Sequence, residues 1–144
     1  MDIDTVNKPV TGKTNGKILV VEDNPVNQML VCDMLENIGI KIDIANNGQE
    51  AFDAASKQRY SLVMMDVQMP QMDGLEATAL IREFEAALPF RTPIAAITGN
   101  AMAGDKERFL ASGMDDYLSK PFSVQGLTEL VQRWLKPIDT ESNT

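Results

Sequence analysis

Glu22, Asp23, Asp66, Thr98 and Lys120 each stand at or just beyond the end of a short apolar run. The runs are ILVV before Glu22, LVMM before Asp66, PIAAI before Thr98 and YLS before Lys120. A single acid such as Asp66, closing the stretch SLVMMD, is often no more than a solvated cap. Three carboxylates brought to one place are another matter. They repel each other, and one tends to be protonated unless something compensates the charge. A bound divalent cation does so. The chain has no histidine and one cysteine, so the ligands are oxygens, which suit a hard ion: Mg²⁺ first, Mn²⁺ second. Mg²⁺ commonly takes one or two carboxylates together with phosphate oxygens. A carboxylate is also a nucleophile able to accept a phosphoryl group as an acyl phosphate. Lys120 by charge and Thr98 by hydrogen bond can hold the remaining phosphoryl oxygens, and Gly99 leaves room for the group to approach.

This chemistry needs a fold that gathers the five residues. Strand patterns fall at 17–22, 41–45, 61–66, 92–98 and 116–119, and helical patterns at 24–39, 47–58, 73–87, 102–113 and 123–136. The first helix has Asn24 as its cap, Pro25 at its first position and Gly39 as its stop. Its apolar face reads Leu30, Val31, Met34, Leu35 and Ile38; that of the last helix reads Val124, Leu127, Leu130, Val131 and Trp134. Ala51, Ala54 and Ala55 suit close packing in the second helix. KIDIA alternates and reads as a more exposed strand. Strict strand–helix alternation predicts an α/β fold, a doubly wound parallel sheet of five strands joined by right-handed crossovers. Such sheets bind ligands at the carboxyl ends of their strands. Four of the five strands then deliver three carboxylates, a hydroxyl and an amine to one edge, while the second ends in Ala45 and Asn46, with nothing reactive.

Composition narrows the partners. A net charge of −8 repels phosphate backbones and anionic membrane surfaces, so no nucleic acid and no membrane contact are expected. No apolar run approaches the ~20 residues of a membrane span. A lone cysteine excludes an internal disulfide and fits a reducing compartment; Cys32 reads as a packed small residue. Residues 1–16 and 137–144 are polar without periodicity and read as tails around one folded unit, 17–136.

The stretches ILVVEDNPVNQ, LVMMDVQMPQMDGLEAT, PIAAITGNAM and GMDDYLSKPF resemble, in order and over about residues 16–136, the receiver domain of two-component response regulators. The wording is similar to receivers of hybrid sensor histidine kinases. The resemblance implies a flavodoxin-like fold with strand order 2-1-3-4-5. It implies that Asp66 accepts a phosphoryl group from a phospho-histidine, with slow autodephosphorylation. Glu22 and Asp23 are then the acidic pair for Mg²⁺, Asp23 directly and Glu22 through water, and Gln68 lends its backbone carbonyl. Thr98 and Lys120 sense and bind the phosphoryl group, and Tyr117 is the aromatic switch residue. Where the family usually has Ala or Ser, this chain has Gly99. The Lys120–Pro121 bond is expected to be cis.

The same resemblance implies a phosphoacceptor module rather than a turnover enzyme. Its partners are a sensor histidine kinase or a histidine phosphotransfer domain, which packs on the first helix near Asn27, Met29 and Leu30. A downstream protein would bind the surface of the fourth helix, fifth strand and fifth helix. A cytoplasmic location is expected, tethered to a membrane if the chain is part of a hybrid kinase rather than a stand-alone regulator. No output domain is expected after residue 136. A haloacid-dehalogenase-like phosphatase would need a general acid two residues after its nucleophile, where this chain has Gln68. A flavin-binding protein would need a phosphate cradle where this chain has the acidic EDNPVN.

Overall fold

The computed structural model describes residues 16–67, 73–99, 104–120 and 122–135. The tails expected at the two ends lie outside these residues apart from Gly16, as do Gln68 and Pro121, and with Pro121 the expected cis bond. Five strands, β1 (Lys17–Val21), β2 (Lys41–Ala45), β3 (Leu62–Asp66), β4 (Ile94–Thr98) and β5 (Asp116–Ser119), alternate with five helices. The helices are α1 (Pro25–Asn37), α2 (Gly48–Lys57), α3 (Gly74–Glu85), α4 (Asp105–Ala111) and α5 (Val124–Trp134). The sheet is parallel throughout, in the order β2-β1-β3-β4-β5. No helix among the described residues is long and apolar enough to cross a membrane.

The strand sequences explain the two-sided core. β3 and β4 are buried at every position, and successive side chains alternate between faces. Leu19, Val21, Val63, Met65 and Ala96 pack with Ala51, Ala55, Ala77, Ile81 and Phe109, the layer of α2, α3 and α4. Ile18, Val20, Leu62, Met64 and Ile97 pack with Val31, Leu35, Leu127 and Leu130, the layer of α1 and α5. The alanines expected to allow close packing do so at Ala51 and Ala55, and Phe52 meets Phe84 of α3 edge-on at 6.1 Å. β2, at the sheet edge, is only partly buried.

Local chemistry sets the helix ends. The Asn24 side chain accepts from the Val26 and Asn27 amides ahead of Pro25, and Asp73 with Glu76 forms a reciprocal capping box. α4 ends ahead of Gly113, whose φ of 105° suits glycine; a Cβ there would also press on Arg82 Cγ at 3.2 Å.

The structure corrects two apolar faces. α1 buries Val31, Cys32 and Leu35, while Leu30 is 56% exposed and Ile38 also faces outward. The helix is rotated so that Cys32 is buried and Leu30 is not. Burial and the acids Glu36 and Asp33 push its thiol pKa up, as suits a packed residue. On α5, Leu127, Leu130 and Val131 are buried, but Val124 is exposed in the first turn.

Candidate functional site

Parallel pairing brings the ends of β1, β3, β4 and β5 to one edge. Val21 is level with Met65, Asp66 with Ile97, and Thr98 with Ser119. Glu22 and Asp66 are each 4% exposed and Thr98 is buried, whereas Asp23 is open to solvent. One carboxylate oxygen from each of Glu22, Asp23 and Asp66 lies within 4.8 Å of the others, close enough to hold one metal ion. Lys120 Nζ donates to Glu22 Oε1 at 3.1 Å and lies 3.6 Å from Asp66 Oδ2. The Lys120 amide donates to the Thr98 carbonyl at 2.7 Å, which ties the amine-bearing residue to the end of β4. All five residues selected by type and position therefore stand at the same edge. The Lys120 ammonium pairs with two of these three clustered carboxylates, and an all-oxygen acidic set of this kind fits a hard divalent cation.

The surrounding residues fix Glu22 and pack against the Asp66 strand end. Glu22 Oε2 accepts from the Asn24 amide at 3.1 Å and from Asn27 Nδ2 at 3.4 Å. Gly74 opens α3 directly against the Asp66 strand end: a Cβ there would meet the Asp66 carbonyl oxygen at 2.5 Å and Val67 Cα at 2.9 Å. Only glycine permits that approach. Gly99 is different, because a Cβ there would come no nearer than 3.9 Å to Lys120 Cδ. An alanine would therefore fit at this position as well.

Tyr117 shares a sheet face with Thr98, through the register of Ala96 with Tyr117 and Thr98 with Ser119. Its ring lies 6.2 Å from that of Phe109 on α4, and it is partly buried. Beside it, burial alone would raise the Asp116 carboxyl. Hydrogen bonds from Trp134 Nε1, the Tyr117 amide and Arg133 outweigh burial and hold it below its ordinary value.

Sequence reasoning missed an amide cluster next to the acids. Gln28 and Asn46 bridge the β1–α1 and β2–α2 loops. The available signal was the density of amides at 24, 27, 28, 46 and 47 around the acidic pair.

The chain as a whole is similar to known proteins. The family description "Response regulator receiver domain" matches residues 18–132. The chain belongs to the response regulator receiver domain family. The receiver is 43% identical over 141 residues to hybrid signal transduction histidine kinase G of Dictyostelium discoideum, covering 96% of this chain and 4% of that protein. It is also similar to the receiver domain of sensor histidine kinase PA1611 from Pseudomonas aeruginosa, solved with a magnesium ion in its active site cleft. That pair has 43% identity, a TM-score of 0.76, and coverage of 85% of this chain and 98% of that one. A third similar receiver is that of Ssk1 from Saccharomyces cerevisiae, solved with the histidine phosphotransfer protein Ypd1. Here the identity is 33%, the TM-score 0.75 and the coverage 86% and 90%. The receiver's strand order and strand–helix alternation match the expectation made from sequence.

Proposed function

We propose that this receiver accepts a phosphoryl group on Asp66 from a phospho-histidine, with Mg²⁺ as cofactor, and works as a phosphoacceptor switch rather than a turnover enzyme. The observation that carries the reading is the convergence of Glu22, Asp23 and Asp66, with the Lys120 ammonium paired to Glu22 and Asp66. Asp66 Oδ attacks phosphorus as the P–N bond breaks. The imidazole nitrogen keeps the bonding pair, and the phosphoryl group ends on the carboxylate. Asp23 and Asp66 would hold Mg²⁺ directly and Glu22 through water, with the backbone carbonyl of Gln68, which lies outside the described residues, as the further ligand that the family resemblance implies; Mn²⁺ would suit the same oxygens. When bound, the ion neutralises charge on the transferring group. Lys120 leaves its place beside Asp66 to pair with a phosphoryl oxygen, and the Thr98 hydroxyl donates to another. Slow hydrolysis of the acyl phosphate resets the domain.

Thr98, Tyr117 and Phe109 share one side of the sheet, which supports Tyr117 as the switch. As Thr98 turns toward the phosphoryl group, Tyr117 moves inward and reshapes the α4–β5–α5 face that a downstream protein reads. The donor is a histidine kinase or a histidine phosphotransfer domain, as in the yeast complex. Val26, Met29 and Leu30 lie 61%, 59% and 56% exposed on α1. Beside them a groove of about 210 Å³ is lined by Asn27, Leu30, Met34 and Phe122 and reaches Lys120. A helical partner laid on this apolar strip brings its histidine to the Asp66 edge.

Intact mass after acetyl phosphate treatment with Mg²⁺ tests the reading. The wild type gains one phosphoryl group and Asp66→Asn gains none. Full labelling of that variant would sink the assignment.

A further inference from the structure

Gln28, in the first turn of α1, uses its side chain on the main chain of the acidic loop. Its amide nitrogen donates to the Glu22 carbonyl at 2.6 Å and to Asn46 Oδ1 at 2.7 Å. A side-chain amide has two N–H donors, and both are engaged. Asn46 is oriented in turn: its Nδ2 and its backbone amide donate to Glu50 Oε1 at 3.0 and 2.8 Å, which turns Oδ1 toward Gln28. The Glu22 amide donates to the Ala45 carbonyl at 3.1 Å. Glu22 is thus fastened to the end of β2 through its amide and to the β2–α2 loop through its carbonyl by way of Gln28.

That carbonyl belongs to the peptide bond leading into Asp23. A peptide unit is planar, so fixing its carbonyl fixes the direction in which the chain enters Asp23. Side-chain contacts do not do this work. The Glu22 carboxylate has Asn24, Asn27 and Lys120 as donors, but among the described residues no hydrogen bond or ion pair holds the exposed Asp23 carboxylate.

We propose that Gln28 is a positioning residue for the cation site. By clamping the Glu22–Asp23 peptide to Asn46, it aims the Asp23 carboxylate and sets the affinity for Mg²⁺. This rests on the reading of Glu22, Asp23 and Asp66 as the Mg²⁺ site. Partners that orient metal ligands typically contribute 10–100-fold to affinity, and Gln28 acts on the ligand through the backbone.

The test is calorimetric titration of Mg²⁺ into the metal-free full chain. Gln28→Met removes both donors at similar length and adds no charge; its Kd rises about tenfold. Gln28→Glu keeps the shape, removes the donors and adds a negative charge. General electrostatics would tighten cation binding there, so weaker binding by this variant is evidence for the clamp. Asn46→Ala removes the outer anchor and weakens binding in the same direction, and it serves should Gln28→Met fail to fold. Thermal midpoints measured in EDTA separate this from a purely structural role, which would lower the midpoint and leave Kd alone. A Gln28→Met or Asn46→Ala Kd within twofold of the wild-type value overturns the inference, as does tighter binding by Gln28→Glu. A wild type that takes up no Mg²⁺ overturns the site reading itself, and the inference with it.

Discussion

At the amino end of the sheet, Arg82 and Arg91 face Glu85 and Asp115; at the carboxyl end, among the described residues, Lys120 is the one cation paired with the cluster of Glu22, Asp23 and Asp66, through Glu22 and Asp66. The amino-end network is balanced in charge and closed in hydrogen bonding. Arg82 donates to Glu85, Asp115 and the carbonyls of Thr92 and Gly113, all within 2.9 Å. Glu85 accepts in addition from the Thr92 amide, and Asp115 from Arg91 and the Ile94 amide. This joins the end of α3 to the α4–β5 turn and to the entry of β4. The carboxyl end uses similar side chains but leaves negative charge in excess. A satisfied network holds parts together, whereas an unbalanced one has capacity for a cation and a phosphoryl group. The contrast separates a structural cluster from a functional one better than the residue types do.

Removing a charge should therefore act with opposite sign at the two ends. Arg82→Met leaves Glu85, only 6% exposed, as a buried acid without its guanidinium. Urea unfolding should show a loss of about 3–5 kcal/mol. A loss below about 1 kcal/mol would place this network with ordinary surface ion pairs. Asp23→Asn at the other end relieves repulsion without breaking a side-chain hydrogen bond. Its metal-free stability should rise, by no more than about 0.5 kcal/mol. Mg²⁺ should also raise its melting temperature less than that of the wild type. Lower metal-free stability in Asp23→Asn would contradict the excess-charge description.

The smallest effect concerns pH. Asp116 is held below the ordinary 3.8 by Trp134, Tyr117 and Arg133 despite its burial. A depressed acid contributes stability that is present above the unfolded-state value and is lost as pH falls through the folded one. The wild type should accordingly lose stability below about pH 4 more steeply than Asp116→Asn. The single tryptophan, Trp134, bonded to Asp116 at 2.9 Å, reports the change by its emission. An identical acid profile in both proteins would remove Asp116 from the account.

Much of this was legible from the chain alone because the signals were local. β5 begins and ends where the pattern placed it, Asn24 caps α1, and Gly113 follows α4. Continuous apolar runs marked the central strands, since strands covered on both faces have no polar side to show. Apolar residues were harder to place on α1, where 3.6-residue periodicity admits Leu30 with Met34 and Ile38 as readily as Val31 with Leu35. Only the rotation of the helix against the sheet chose the second set and left Val26, Met29 and Leu30 outside.

The sequence by itself determined the element order, the parallel sheet and the delivery of Glu22, Asp23, Asp66, Thr98 and Lys120 to one edge. Each of these follows from local pattern together with the handedness of strand–helix–strand connections. Tertiary structure decided which polar groups meet across that edge. Nothing in the spacing of Gln28 and Asn46, 18 residues apart, shows that one side chain bridges to the other and to the Glu22 carbonyl. Nor does the glycine of MDG reveal the approach of α3 to the Asp66 carbonyl. Hydrogen bonds and close packing depend on distances of a few tenths of an ångström between separate segments, and those distances exist only once the sheet has brought the loops together.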